Sequence, residues 1–393
     1  MNTIYRGLLQ LIKSTLTGKA MPLPEGFILE EAQNVISNQS LVPLIYPGAI
    51  NCGISAKSEL MQKYQVDYFR HLVTSDRQVR MVDQICSAFE ENGIEYMPLK
   101  GYILKKLYPK PEMRAMCDAD ILIRLEQYEK IQSVMQSLQF HYKGESFHDY
   151  VWENDALYLE LHKRLFAKNE GELYQFFGDG WEVAVRDGGS RYRLNAEEEY
   201  IYLFSHMVKH FRFSGIGVKH FVDLYLYRIV HPNMDETKIE QGMVTLRLLD
   251  FYRNAKQMIK VWFEGQESDP TSEMMSDYVF SGGSFGTLKN RMYYENLIHA
   301  SKKKKGVKNA KTKSLFKEIF PSLHTMQLAY NILLKWPILL PIYWPIRWVD
   351  VLLHRRKRIG DKFGVIREMT DEKMLHWENF MNQMGIYIEY AED

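Results

Sequence analysis

MPLKGYILKKLYPKPEMRAMCDADILI, Met97 to Ile123, is the stretch on which the fold turns. Just upstream, Ile94 to Leu99 (IEYMPL) reads as a short strand. Gly101 to Leu107 then reads as a helix and Asp118 to Ile123 (DADILI) as a second strand. Further on, Leu125 to Leu138 has a helical pattern and Ala156 to Leu161 (ALYLEL) reads as a third strand. Strands alternating with helices argue for an α/β unit over roughly residues 94–190. The text on either side is helical, so the fold class expected is α+β: a small mixed sheet between an N-terminal and a larger C-terminal helical region.

Working outward, residues 1–92 carry helical periodicity that ends in QVRMVDQICSAFEENG, with Gly93 suited to a C-cap. The first residues, MNTIYRGLLQLIKSTLTG, are broken by Lys13 and read as an amphipathic helix, not a signal peptide. From Asn195 the text is helical again. Asn195 with Glu198 resembles a capping box, and Ile201, Phe204, Val208 and Phe211 form one apolar stripe. SGGSFG (281–286) and the lysine-rich SKKKKGVKNAKTKS (301–314) read as exposed loops. The expected division is 1–92 helical, 93–190 the sheet-containing core, 191–300 helical, and 301–393 a basic loop followed by a Trp/Pro-rich helical region.

Composition narrows the functional classes. A net charge of +1 gives no global attraction to nucleic acid, so any phosphate site must be local. Three cysteines, Cys52, Cys86 and Cys117, are too few and too scattered for a disulfide framework or a zinc site, and a reduced, cytoplasmic setting is expected.

Side chains alternate across a strand, so Asp118 and Asp120 share one face while Ala119, Ile121 and Ile123 turn to the core. Neighbouring carboxylates repel unless a cation lies between them or one is protonated. Magnesium, a hard oxygen-seeking ion that binds one or two carboxylates plus substrate phosphates, is the natural partner. The third strand repeats the logic. Leu157, Leu159 and Leu161 take one face, leaving Tyr158, Glu160 and His162 on the other. If the strands are neighbours, Glu160 completes a three-carboxylate site, able to hold two metals about 3.5–4 Å apart for phosphoryl displacement. Lys100 and Gly101 stand at a strand-to-helix junction where backbone and helix N-terminus favour a phosphate, and Arg114 is a second cation candidate. A lone D-x-D or Lys-Gly is common. The order of parts is what points to phosphoryl chemistry.

These same residues carry a family resemblance. MPLKGYILKKLYPKPEMRAMCDADILI followed by LYLELHKRL resembles the bacterial uncharacterised nucleotidyltransferase family, with its LKG, Tyr-Pro, Arg-x-Met-x-Asp-x-Asp and carboxylate-x-His segments. The match is closest over about residues 94–165. It continues more loosely through HMVKHF, VKHFVDLY and FPSLHTM to WPILLPIYWPIRW. The resemblance implies a polymerase-β-like nucleotidyltransferase core and metal-dependent nucleotidyl transfer from a nucleoside triphosphate. Asp118 and Asp120 are the implied metal ligands and Glu160 the third acid. The usual Gly-Ser before the metal strand is replaced here by Lys100-Gly101. The acceptor is left open: a sugar, another small molecule or a protein hydroxyl. A catalytically silent binding protein on the same scaffold, or a toxin- or antitoxin-like transferase acting on RNA or protein, are the competing readings.

His206 and His210 share a helix face, but Met207 stands where a zinc protease needs Glu. Packing is the simpler role, with Lys209 and His210 as candidate contributors to the nucleotide pocket. Asp223 in VKHFVDLYLY sits on an otherwise apolar helix, where a buried salt bridge is expected. The eleven uncharged residues Trp336–Ile346 are too few to span a bilayer, and Pro337, Pro341 and Pro345 oppose a continuous helix. Trp336, Trp344, Trp348 and HRRKR (354–358) suit either a peripheral membrane contact or docking against the protein's own core.

Overall fold

The computed structural model describes residues 1–146, 148–284, 286–301, 316, 319–330, 332–354 and 356–387. They fall into two compact units: Met1–Lys209 with Ile216–Ser284, and His210–Gly215 with Phe285–Asp393.

The first unit opens with helices α1 (Thr3–Thr17), α2 (Gln33–Asn38), α3 (Val42–Asn51) and α4 (Glu59–Glu91). Leu8, Leu11, Ile12 and Thr15 of α1 are buried at helical spacing, and Ser58 caps α4 by accepting from the Met61 amide. The sheet follows: β1 (Tyr96–Leu99), α5 (Lys100–Lys105), β2 (Ala119–Ile123), α6 (Tyr128–Ser137), β3 (His141–Glu145), β4 (Asp149–Glu153) and β5 (Tyr158–His162). Strand order is β1-β2-β5-β4-β3, with β2 and β5 parallel and the other pairs antiparallel. After α7 (Glu172–Phe177) a small hairpin forms from β6 (Ala184–Arg186) and β7 (Tyr192–Leu194). Helices α8 (Ala196–Phe213), α9 (Val218–Val230), α10 (Glu236–Thr245), α11 (Leu249–Ile259) and α12 (Pro270–Gly282) complete this part of the chain.

The expected α+β class holds. The three strands read from the sequence stand within two residues of their expected places, and β2 and β5 are neighbours. β3 and β4 are an addition. Their alternation is weak because β3 is an edge whose residues are mostly exposed, so no apolar face marks it.

One face of the sheet is core. Ala119, Ile121, Ile123, Leu159 and Leu161 bury against Val82, Ile85 and Phe89 of α4 and Ile131, Val134 and Met135 of α6. That alternation compels Asp120, Glu160 and His162 to the opposite face.

The segment between α5 and β2 is tied down by buried polar contacts. Lys105 Nζ donates to Ser75 Oγ (2.6 Å) and to the Arg114 carbonyl (2.7 Å), and Gln78 Nε2 donates to the Met116 carbonyl (3.1 Å). Burial, with the nearby Arg114 charge, lowers the Lys105 ammonium to about 8. Arg114 makes a two-pronged pair with Asp223 of α9, Nε to Oδ1 at 2.7 Å and Nη2 to Oδ2 at 2.9 Å, and the Tyr108 hydroxyl donates to the same carboxylate at 2.8 Å. This is the buried salt bridge expected of Asp223.

In the second unit, α13 (Leu288–Ser301) is followed after the lysine-rich run by further helices, among them Leu340–His354. Apart from Ser301, the lysine run lies outside the described residues. SGGSFG is a loop only in part, since α12 continues to Gly282. The helix Leu340–His354 runs through Pro345, against expectation. Pro341 sits in the first turn, where its missing N–H has no helical partner to lose. Pro345 therefore removes a single backbone bond and is tolerated.

The Arg114–Asp223 pair yields a stability test. Asp223→Ala leaves a buried guanidinium unpaired and should cost about 3–5 kcal/mol. Adding Arg114→Met should restore part of that loss, which denaturant unfolding of the single and double variants measures.

Candidate active site

Sheet register assembles the site. Asp120 lies opposite Glu160 across the parallel β2–β5 pair and opposite Leu99 across β1–β2, so the strand that ends in Lys100 delivers its side chain beside Asp120. Lys100 Nζ donates to Asp120 Oδ1 at 2.9 Å, and His162 Nε2 donates to the same oxygen at 2.8 Å. His162 Nε2 is also 3.6 Å from Glu160 Oε2. Asp120 and His162 are buried, while Lys100 and Glu160 keep some exposure. Asp118, one residue before β2, is partly buried, and its carboxylate has no hydrogen-bond partner among the described residues.

The backbone at the junction is strained. Lys100 has φ +41°, in the left-handed region that β-carbon-bearing residues avoid. Gly101 follows because there is no room for more. A Cβ there would meet Met116 Cγ at 3.0 Å and Arg114 Nη1 at 3.3 Å. The Gly101 carbonyl in turn accepts from Arg114 Nη1 at 3.4 Å. Gly101 and Arg114, expected from sequence at a phosphate, here pack on each other beneath the Lys100 turn.

Electrostatics separates the two aspartates. Burial alone would raise Asp120, but the Lys100 ammonium and the His162 bond hold it well below the usual carboxylate range. Asp118 moves the other way, raised by burial and by the charges of Asp120 and Glu160, with Lys100 and Lys219 opposing. Burial and Lys100 push His162 down, yet its bonds to Asp120 and Glu160 outweigh them and its pKa is raised. Tyr202 of α8 is buried beside Lys100, and burial raises its hydroxyl.

Among the described residues, the group whose ligand atoms lie within 4.8 Å of one another is Asp120, Glu160 and His162. His162 was recognised in sequence only as a residue on the Glu160 face; its partner on β2 is fixed by strand register, which sequence does not state. Lys219 of α9 was also missed as a site residue. It is half-buried, its Nζ donates to the Ala115 carbonyl at 3.3 Å, and its field reaches Asp118. The VKHFVDLY run that holds it carried the family resemblance only loosely and gave Lys219 no role. Lys209 pairs with Glu170 at 2.7 Å on the edge of the first unit, and His210, half-buried, belongs to the second unit.

With this geometry in place, comparison with known proteins supplies the lineage. Residues 28–264, more than half of the chain, match the family described as uncharacterised nucleotidyltransferase. The chain belongs to that family. No curated protein matches. Among solved structures, the antibiotic-resistance factor ANT(2'')-Ia, whose solution structure was described for its substrate-regulated conformation dynamics, is similar at 15% identity. That likeness covers 47% of this chain and 96% of the other with a TM-score of 0.34, too slight to bear on chemistry.

The raised His162 can be followed directly. Its imidazolium contributes stability that is fully present below the unfolded value of about 6.5 and is lost as pH rises through the folded value. In Asp120→Asn protein, burial and Lys100 dominate, and the imidazole should titrate below 6.5. Nitrogen-15 chemical shifts of His162 across pH 4–9 check this, and an unchanged titration would contradict the hydrogen-bond origin of the shift.

Proposed function

We propose that the protein is a Mg²⁺-dependent nucleotidyltransferase that moves a nucleoside monophosphate from a nucleoside triphosphate to an acceptor hydroxyl of a sugar, another small molecule or a protein. Family membership supports nucleotidyl transfer. The observation that carries the metal-dependent reading is the set of acidic oxygens left without protein donors. Among the described residues, neither oxygen of Asp118 and not Oδ2 of Asp120 accepts a hydrogen bond, and Glu160 meets only His162 at 3.6 Å. Hard carboxylate oxygens left open in a partly dry cleft fit a hard divalent cation, and they argue against a silent scaffold, where unpaired acids are costly to retain.

Asp118, Asp120 and Glu160 would hold Mg²⁺, which when bound neutralises charge building on the phosphate oxygens. In the reaction, the acceptor oxygen forms a bond to the α-phosphorus and the bond from that phosphorus to the β-phosphate bridging oxygen breaks, releasing pyrophosphate. Glu160, 24% exposed, takes the acceptor's proton. His162 keeps Asp120 ionised and oriented. Lys219, facing Asp118, supplies positive charge for the triphosphate, while Gly101 and Arg114 hold the Lys100 turn in shape. Lys209 is proposed for the outer part of the nucleotide pocket.

A second part of the proposal concerns location: a cytoplasmic protein that meets membranes peripherally. No described helix is long and apolar enough to cross a membrane. The helix Leu340–His354 turns Trp344 and Trp348 inward, their indole N–H groups donating to the carbonyls of Pro321 and Ile319. Its other side is an exposed apolar stripe of Ile342, Ile346, Val349 and Leu353, preceded by Trp336 and by Ile338 at 82% exposure. Basic HRRKR follows directly in sequence, which favours an anionic lipid surface.

Incubating the protein with each labelled nucleoside triphosphate, Mg²⁺ and a cell extract should release pyrophosphate. Asp118→Asn/Asp120→Asn protein should lose it by on the order of 10³-fold, since metal stabilisation supplies several kcal/mol. Release that persists in the double variant overturns the assignment. In flotation with phosphatidylserine vesicles, Trp336→Ser/Ile338→Asp/Ile342→Asp protein should stay with the unbound fraction. Equal partitioning of variant and wild type, or none by either, removes the membrane contact.

A further inference from the structure

The Lys100 ammonium takes up an Asp120 oxygen that would otherwise be open to a cation. Asp120 Oδ1 already accepts from both Lys100 at 2.9 Å and His162 at 2.8 Å, which leaves Oδ2 as the only oxygen Asp120 can offer a cation. A carboxylate that bridges two ions gives each of them an oxygen. This one has a single oxygen to give. Lys100 also sets a positive charge directly against Asp120, so less of the acid cluster's charge is left for added cations to balance.

The third observation is conformational. Lys100 sits at φ +41°, a conformation that a side-chain-bearing residue holds only when its surroundings impose it. The surroundings do impose it: Gly101 packs on Met116, Arg114 Nη1 binds the Gly101 carbonyl, and Asp223 anchors Arg114. The fold therefore invests strain in keeping this ammonium on Asp120. A lysine meant only to meet an incoming phosphate would need no such placement.

From these features we infer that Lys100 is a built-in cation standing in for one metal of the pair, so that the site takes a single divalent ion, held by Asp120 Oδ2 and Glu160, with Asp118, outside the 4.8 Å group, as the further acid. The sequence-based expectation of two ions and of Lys100 as a phosphate ligand is replaced by one ion and a fixed ammonium. The inference rests on the nucleotidyl-transfer reading and sharpens its metal requirement.

The test is stoichiometry, read by electron paramagnetic resonance of Mn²⁺ titrated into the full-length chain. Wild type should bind one Mn²⁺ per chain. Lys100→Met should bind two, since both oxygens of Asp120 become available. Lys100→Gly should do the same, and because glycine accepts the positive φ without strain, it is free of the backbone penalty that Lys100→Met keeps, with circular dichroism checking that both variants are folded. Two ions in wild type overturn the inference and leave nucleotidyl transfer standing. One ion in wild type and in both variants overturns it as well, because Lys100 would then exclude nothing. No bound Mn²⁺ in wild type overturns the inference and metal-dependent transfer together, an outcome that the pyrophosphate assay registers independently.

Discussion

The ion pair between Lys100 and Asp120 is the contact around which the first unit is arranged. It joins the end of one strand to the middle of the next at 2.9 Å, with Asp120 buried and Lys100 14% exposed. Removing Lys100 would leave buried Asp120 with His162 as its one remaining donor, and removing Asp120 would leave the ammonium without its partner, which costs more than the intact pair contributes. Backbone strain at Lys100, the missing side chain at Gly101 and the layered packing of Met116 and Arg114 all make sense as means of holding that pair. His162 adds a second donor to the same carboxylate oxygen and so fixes which of the two oxygens faces outward.

Supporting elements come from distant parts of the chain. The C-terminal half of α4 builds the apolar face of the sheet, while its Ser75 and Gln78 secure the segment that leads into β2. On the acidic side, α8 sets Tyr202 beside Lys100 and α9 sets Lys219 toward Asp118. A sheet of five short strands thus has its acidic face supported by helices contributed before and after it. Asp120 is driven toward ionisation and Asp118 away from it, the separation expected when like charges lie close together and one of them holds the nearest donors.

Much of this was readable in the sequence because it rests on a period of two. The alternation in DADILI and ALYLEL put the acids on one face and the aliphatics on the other, and the structure keeps that division. The edge strand β3 was not readable, since an exposed edge carries no apolar alternation, and its interior partner β4 is only partly buried and alternates weakly. The pairing of His162 with Asp120 was hidden for another reason: strand neighbours and their register are tertiary facts. Arg114 shows the limit of reading cations by position. Only the fold reveals that its guanidinium is taken by Asp223, 109 residues further along. The expected 93–190 core likewise stops short of that partner.

That last distance has a consequence for how the chain can be divided. A fragment ending near residue 190 would retain every acid of the site yet lose α9, leaving Arg114 and Tyr108 facing an empty position. The turn that carries Lys100 would lose its anchor in the same cut. Sheet and helical half are therefore one inheritable piece, in which residues 114 and 223 can change only in concert. A relative lacking one of the pair should lack both, with the Lys100 turn rebuilt by some other means.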